Sequence, residues 1–174
     1  AQPLRLFAPR PGVGETLTAV IGNLSGGIVG GDDYQTEVSL RRNTKLTLAA
    51  QAAEKVYRST GGEAENRFSF EVGENAAFEW LPQGAIVFDR AIFRQQVRFD
   101  VASSATMLAG AISVLGRTAM GEKVSSGRYR EHWDFRRDGE LVWFDPDGSE
   151  EALAWYRSRF EPFADRKMIG EDSP

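Results

Sequence analysis

"VSLRRNTKLTL", residues 38–48, reads as the apolar end of a strand, a short polar turn and the start of a second apolar strand. The same phrase returns as "FEVGENAAFEW" at 70–80 and as "FDVASSATMLA" at 99–109. Its anchors are Leu40, Val72 and Val101, spaced 72 − 40 = 32 and 101 − 72 = 29 residues apart. Repetition near 30 residues predicts coils or hairpins stacked on one another rather than a closed barrel, each unit burying its apolar face against the next.

Working outward, alternation extends on both sides of each turn. Tyr34, Thr36, Val38 and Leu40 share one face, as do Phe68, Phe70 and Val72. Phe93, Gln95, Val97, Phe99 and Val101 form a third row, and Tyr129, Glu131, Trp133 and Phe135 a fourth. A period of two with β-branched and aromatic residues marks half-buried strands. Turn signals separate them at Arg42-Asn43, Gly73-Glu74-Asn75, Ser103-Ser104 and Asp138-Gly139, the last a hairpin signal. Pro82 cannot donate to a ladder and marks an edge or a corner. Two segments carry helical features. Residues 49–58 are alanine-rich and read as a short helix, or as a strand followed by a bend. Residues 149–160 offer Ser149 as N-cap, Glu150 and Glu151 in the first turn, and Leu153, Tyr156 and Phe160 on one face. The expected fold is therefore all-β, a stacked two-layer β-solenoid with one or two short helices, in a single domain over 1–174.

Composition narrows the function. The 174 residues suffice for one domain with its own core, and a hydrophobic share of 41% with 26% charged is that of an ordinary globular chain. A net charge of −4 argues against nucleic acid as the main partner. No apolar run reaches the roughly 18 residues of a membrane span, and "AQPLRLFAPRP" lacks the apolar core of a signal peptide. The absence of cysteine excludes disulfides and thiolate metal sites, and fits the cytoplasm. A first residue other than Met, opening straight into a strand-like phrase, reads as a piece of something longer.

"NLSGGIVGGDDYQ", 23–35, is the densest glycine stretch. A Walker phosphate loop would need Gly-Lys-Ser/Thr opening a helix, whereas this stretch has no lysine and leads into a strand. GGDDY approaches the GGDEF hairpin of diguanylate cyclases but lacks the long flanking helices of that fold. Two adjacent aspartates do not supply the spaced oxygens of a calcium loop. A turn remains, with Gly26, Gly27, Gly30 and Gly31 permitting positive φ or close approach at a corner, and Asp32 bonding nearby amides to fix it. A ligand role for Asp32 stays open beside it.

His132 is the only histidine, and it lies on the strand face that carries Arg128, Arg130 and Asp134. One imidazole and no thiolate cannot build a tight nickel or zinc cage. Hard oxygen ligands that bind weakly remain available, with Asp32, Asp33, Glu54, Glu79, Asp89 and Glu122 as candidates. Lys55, Tyr57 and Arg58 have the basic and aromatic character of a protein contact, or of side chains covering an apolar edge.

Several phrases together resemble one family. "SGGIVGGD" (25–32), "QAAEKVYRS" (51–59), "EWLPQGAIVF" (79–88) and "LGRTAMGEKVSSGRYREHW" (115–133) are similar, in order and spacing, to the urease accessory protein UreD, called UreH in some organisms. "PLRLFAP" (3–9) resembles the segment before that family's glycine stretch, so the likeness covers about 3–144 and leaves 145–174 as a divergent, helical tail. Glu54 stands where the family commonly has Thr, and Gly84 where it often has an acidic residue. The resemblance implies a stacked β-scaffold rather than an enzyme. It implies binding to UreF, recruitment of the GTPase UreG through UreF, and docking on apo-urease, with nickel in transit and no tightly bound cofactor. Residue by residue it implies Asp32 and Glu122 as the ion route. Gly26, Gly27, Gly30, Gly31, Lys55, Tyr57, Arg58, Pro82 and Gln83 would give shape and partner surface. A second reading is a non-catalytic β-solenoid binding module, for example for glycans, stacking sugars on Trp133, Trp143 and Trp155.

Overall fold

A computed structural model describes residues 3–145 of the chain. In it thirteen strands follow one another: β1 (Leu4–Phe7), β2 (Leu17–Asn23), β3 (Asp33–Leu40), β4 (Lys45–Ala50), β5 (Glu54–Val56), β6 (Ala64–Val72), β7 (Ala77–Leu81), β8 (Ala85–Val87), β9 (Ile92–Val101), β10 (Thr106–Ala109), β11 (Ser113–Leu115), β12 (Arg128–Arg137) and β13 (Glu140–Asp145). They form two broad sheets, β1-β2-β4-β7-β10 and β13-β12-β9-β6-β3, and a narrow one, β11-β8-β5.

The chain visits the sheets in strict rotation. It passes β4, β5, β6, then β7, β8, β9, then β10, β11, β12, each strand lying parallel on its predecessor one coil earlier. In the coil of β2 and β3, Ile28 alone stands for the narrow sheet, bridging to Val56. This is a β-solenoid, and its register matches the sequence echo: Leu40 pairs with Val72, and Val72 with Val101. Two strands run against the rotation. β1 closes the first broad sheet on β2, and β13 closes the second on β12. The hairpin between β12 and β13 turns on Asp138 (φ 49°) and Gly139 (φ 82°), the primed geometry that a two-residue loop requires.

The inner faces of the broad sheets meet in an aromatic core. Phe70, fully buried, lies 5.1 Å ring to ring from Phe78, Trp80 and Phe99. Burying each such ring stabilises the fold by about 1.5–3 kcal/mol. A smaller cluster of Ile28, Val56, Ala64, Val87, Ala91 and Phe93 fills the corner under the narrow sheet.

Two expectations are refined. The narrow third sheet adds a side to the two layers, and its strands of three residues are too short for alternation to reveal. Among the described residues there is no α-helix, only a 3-10 turn at Thr118–Met120. Residues 49–58 take the strand-and-bend alternative. Gln51 donates its amide to the Ile21 carbonyl at 2.9 Å and β4 lies in a ladder between β2 and β7, so pairing overrides alanine's helix propensity. The expected helix at 149–160 lies outside the described residues. No described helix is long and apolar enough to cross a membrane.

Candidate functional site

The glycine stretch makes the corner between β2 and β3, pressed onto the next coil. Ile28 donates to the Lys55 carbonyl at 2.7 Å, and Tyr57 to the Ile28 carbonyl at 2.9 Å. A Cβ on Gly27 (φ 150°) would stand 2.4 Å from the Tyr57 ring and 2.6 Å from the Lys55 oxygen. The stretch is bare of side chains because backbone approaches backbone here. Asp32 closes the corner. Its Oδ2 accepts the Val29 amide at 2.9 Å and the Tyr34 hydroxyl at 3.3 Å.

Behind this corner, between the broad sheets, lies a cavity of about 230 Å³. Tyr34, Glu54, Asn66, Gln95 and Ser113 give it polar walls, and Ile21, Phe68 and Trp80 apolar ones. Four polar side chains stand in register along the solenoid axis. Tyr34 pairs with Asn66, Asn66 with Gln95, and Gln95 with Glu131, one residue from each coil. At 4.7–4.9 Å per strand, this inward polar ladder spans roughly 14 Å.

The electrostatics of the ladder are incomplete. Glu131 accepts hydrogen bonds from Gln95 and the Trp133 indole, each at 2.8 Å, and from Tyr129 at 2.7 Å. Ser113 also donates to it at 3.4 Å. Glu54 accepts from Asn23 at 3.1 Å, and burial raises its pKa above the ordinary carboxylate value despite that bond. Among the described residues neither glutamate has an ion-pair partner. Asn66 is only 8% exposed, and its Oδ1 has no hydrogen-bond donor. A buried acceptor left in this way normally costs about 1–3 kcal/mol unless water or a ligand satisfies it.

The residues singled out in the sequence are divided by the fold. Gly26, Gly27, Gly30, Gly31, Asp32, Lys55 and Tyr57 come together at the corner. Pro82 borders the cavity at the β7–β8 corner, whereas Gln83 and Arg58 are exposed. Glu122 stands apart from the cavity lining. Its carboxylate accepts the Arg117 guanidinium at 2.8 Å, the Arg117 amide at 3.1 Å and the Asp89 amide at 3.4 Å, and Arg117 holds its pKa low. Asp33 pairs with Arg67, and Glu79 accepts from Thr47. His132 bonds Asp134 at 3.1 Å and rests against Phe144. Among the described residues no three His, Asp or Glu converge in a metal-binding group.

Asn66, Gln95 and Glu131 were missed as site residues, although the alternation puts Glu131 on the same face as Trp133 and Phe135. A lone carboxylate inside an apolar row was the available signal. Trp133 packs between Trp80 at 5.3 Å and Phe99 at 5.6 Å, so it is a core residue and not a platform for sugars. Trp143 is 41% exposed, and Trp155 lies outside the described residues.

The coiled sheets and the polar axial ladder define, among the described residues, an all-β protein of the solenoid class. A family model described as UreD urease accessory protein matches residues 1–158, and the chain belongs to that family. It is 44% identical over 141 residues to the urease accessory protein UreD of Bradyrhizobium diazoefficiens, covering 80% of this chain and 50% of that protein. Identity to urease accessory protein UreD of Magnetococcus marinus is 39% over 145 residues, covering 83% and 50%. To that of Rhodopseudomonas palustris strain BisB18 it is 42% over 139 residues, covering 80% and 50%. The chain thus spans about half the length of the curated relatives it matches.

Proposed function

We propose that this chain is a non-catalytic scaffold of urease maturation that passes nickel, as cargo, toward apo-urease in the cytoplasm. In this reading UreF holds the scaffold and the GTPase UreG joins through UreF. Membership of a family whose relatives are named urease accessory proteins supports the maturation role. The observation that carries the transit reading is the axial ladder, in which Tyr34, Asn66 and Gln95 line the cavity with Glu54 and Glu131 follows in register beyond Gln95.

Its chemistry suits passage rather than storage. Nickel favours nitrogen and sulfur donors, so a row of oxygens and amides holds the ion weakly. Two carboxylates that pair with no cation among the described residues draw a divalent ion inward, and the chain has no thiolate to trap it. Asp32, which accepts the Tyr34 hydroxyl at 3.3 Å, adjoins the first rung of the ladder. Glu122, engaged by Arg117, contributes through the shape of the neighbouring loop.

The test is co-expression with UreF, UreG and urease, reading complex formation and nickel per urease active site. The chain is expected to be captured with UreF. Glu131→Gln and Glu54→Gln should leave capture intact while lowering nickel loading at least several-fold. Failure of the parent chain to associate with any urease component overturns the maturation role. Full loading in both variants overturns the route.

A further inference from the structure

The cavity between the broad sheets, at about 230 Å³, is larger than the roughly 150 Å³ that takes up benzene in an apolar protein interior. Gln51 and Ala52 in its lining are exposed, so it is reached from solvent. Phe68 and Trp80, with ring centres 5.1 Å apart, give it aromatic surface together with Tyr34. Two of its acceptors are left wanting. Asn66 is only 8% exposed, and its Oδ1 meets no donor. Glu54 accepts the Asn23 amide at 3.1 Å but has no ion-pair partner among the described residues. Lys55, the basic residue of the lining, follows Glu54 on β5 and is exposed, so by strand alternation its ammonium turns away from the interior.

These features discriminate among occupants. An anion would face the Glu54 carboxylate with no inward cation to offset it. A neutral apolar molecule would leave the Asn66 oxygen without a donor, the costly state for a buried acceptor. Water supplies the donor but gains nothing from the ring faces of Phe68 and Trp80, and ordered water needs several polar partners. A primary ammonium on a short alkyl stem meets every requirement. Its N–H groups donate to Asn66 and Glu54, its charge is attracted by carboxylate and ring faces alike, and its stem covers the apolar wall.

We propose that the cavity is a binding site for a primary alkylammonium ion, with Asn66 and Glu54 as its acceptors and Phe68 and Trp80 as its apolar wall. A free amine and the side chain of a lysine on another protein carry the same chemistry. The proposal goes beyond nickel transit and does not rest on it.

The test is calorimetric titration of the full chain, without nickel or urease components. n-Butylammonium chloride is compared with butan-1-ol, its neutral counterpart, at equal ionic strength. The amine is expected to bind at one site, about ten-fold or more tightly than the alcohol. Asn66→Leu removes the orphan acceptor at similar volume, and Glu54→Gln removes the charge. Each should weaken amine binding about ten-fold or more with the β spectrum unchanged, whereas Glu37→Gln, a charge lost from an exposed position on β3, should leave it as in the parent. If Asn66→Leu does not fold, Glu54→Gln set against Glu37→Gln decides. Nα-acetyl-lysine amide separates the two sources: binding as tight as that of butylammonium assigns the site to a lysine side chain, and exclusion with butylammonium still bound assigns it to a free amine. Absence of saturable amine binding, equal affinity for amine and alcohol, or an affinity unchanged by both cavity variants overturns the proposal. Since nickel loading of urease is read separately, the two readings fail separately.

Discussion

Gly27 and Gly31 look alike in sequence, yet the fold asks different things of them. Both have positive φ, but a Cβ on Gly31 would meet nothing within 4 Å, whereas one on Gly27 would collide with the Lys55 carbonyl. Gly31→Ala should cost only the left-handed backbone penalty of about 1–2 kcal/mol. Gly27→Ala adds overpacking and should cost about 2–3 kcal/mol more, read from urea midpoints. Glu54 supplies a prediction with a sign. Its folded pKa lies above the unfolded value, so the stability linked to its protonation is complete below a pH of about 4.3 and is lost as pH rises through the folded pKa. Glu54→Gln keeps an acceptor for Asn23 and removes the buried charge. Its melting temperature should exceed that of the parent at pH 7, with the difference vanishing near pH 4. Lower nickel delivery from a more stable protein would mark a site that trades stability for function. The glycine corner was legible residue by residue, because flexible backbone and an amide-bonding aspartate leave a local signature. The polar ladder was not. It exists only once four strands are stacked in register, and each member alone reads as an ordinary polar residue in a strand.

Among the elements, the loop from Gly116 to Gly127 shows how a segment with little regular structure is held. Asp89 accepts the amides of Ser125 at 2.7 Å and Ser126 at 3.2 Å, bonds that hold its pKa below the usual carboxylate range. Glu122 reaches back to the Asp89 amide while gripping Arg117, whose guanidinium lies 4.0 Å from the Phe88 ring centre. Both carboxylates therefore contribute stability above their unfolded pKa values, and that contribution disappears as pH falls through the lowered folded ones. Asp89→Ala removes the acceptor of two amides and should expose Arg117 and Lys123 to trypsin several-fold faster at neutral pH, without loss of the β spectrum. The broad strands were legible because each presents alternating residues for at least one full repeat, and Leu40, Val72 and Val101 proved to be true register partners. The narrow sheet escaped because three residues cannot establish a period. The alanine-rich stretch was ambiguous for the opposite reason, since its local preference is helical and only neighbouring coils decide against it.

For the molecule as a whole, stability is concentrated where coils meet. Phe70 touches rings from its own sheet and from the facing one, so Phe70→Ala should cost about 3–5 kcal/mol, against about 1 kcal/mol or less for a polar change on the solvent face of β3. Paired chemical melts followed by tryptophan fluorescence would measure both, since Trp80 and Trp133 report from the same core. The reversed strands β1 and β13 have a consequence at larger scale. Copies laid head to tail would bring β10 of one against β1 of the next, and β13 against β3. In both broad sheets the join meets a strand of the wrong polarity, so no uninterrupted parallel lattice can outgrow a single molecule. A stack of copies would therefore carry an antiparallel pair at every molecular boundary, a break in the parallel repeat at each junction.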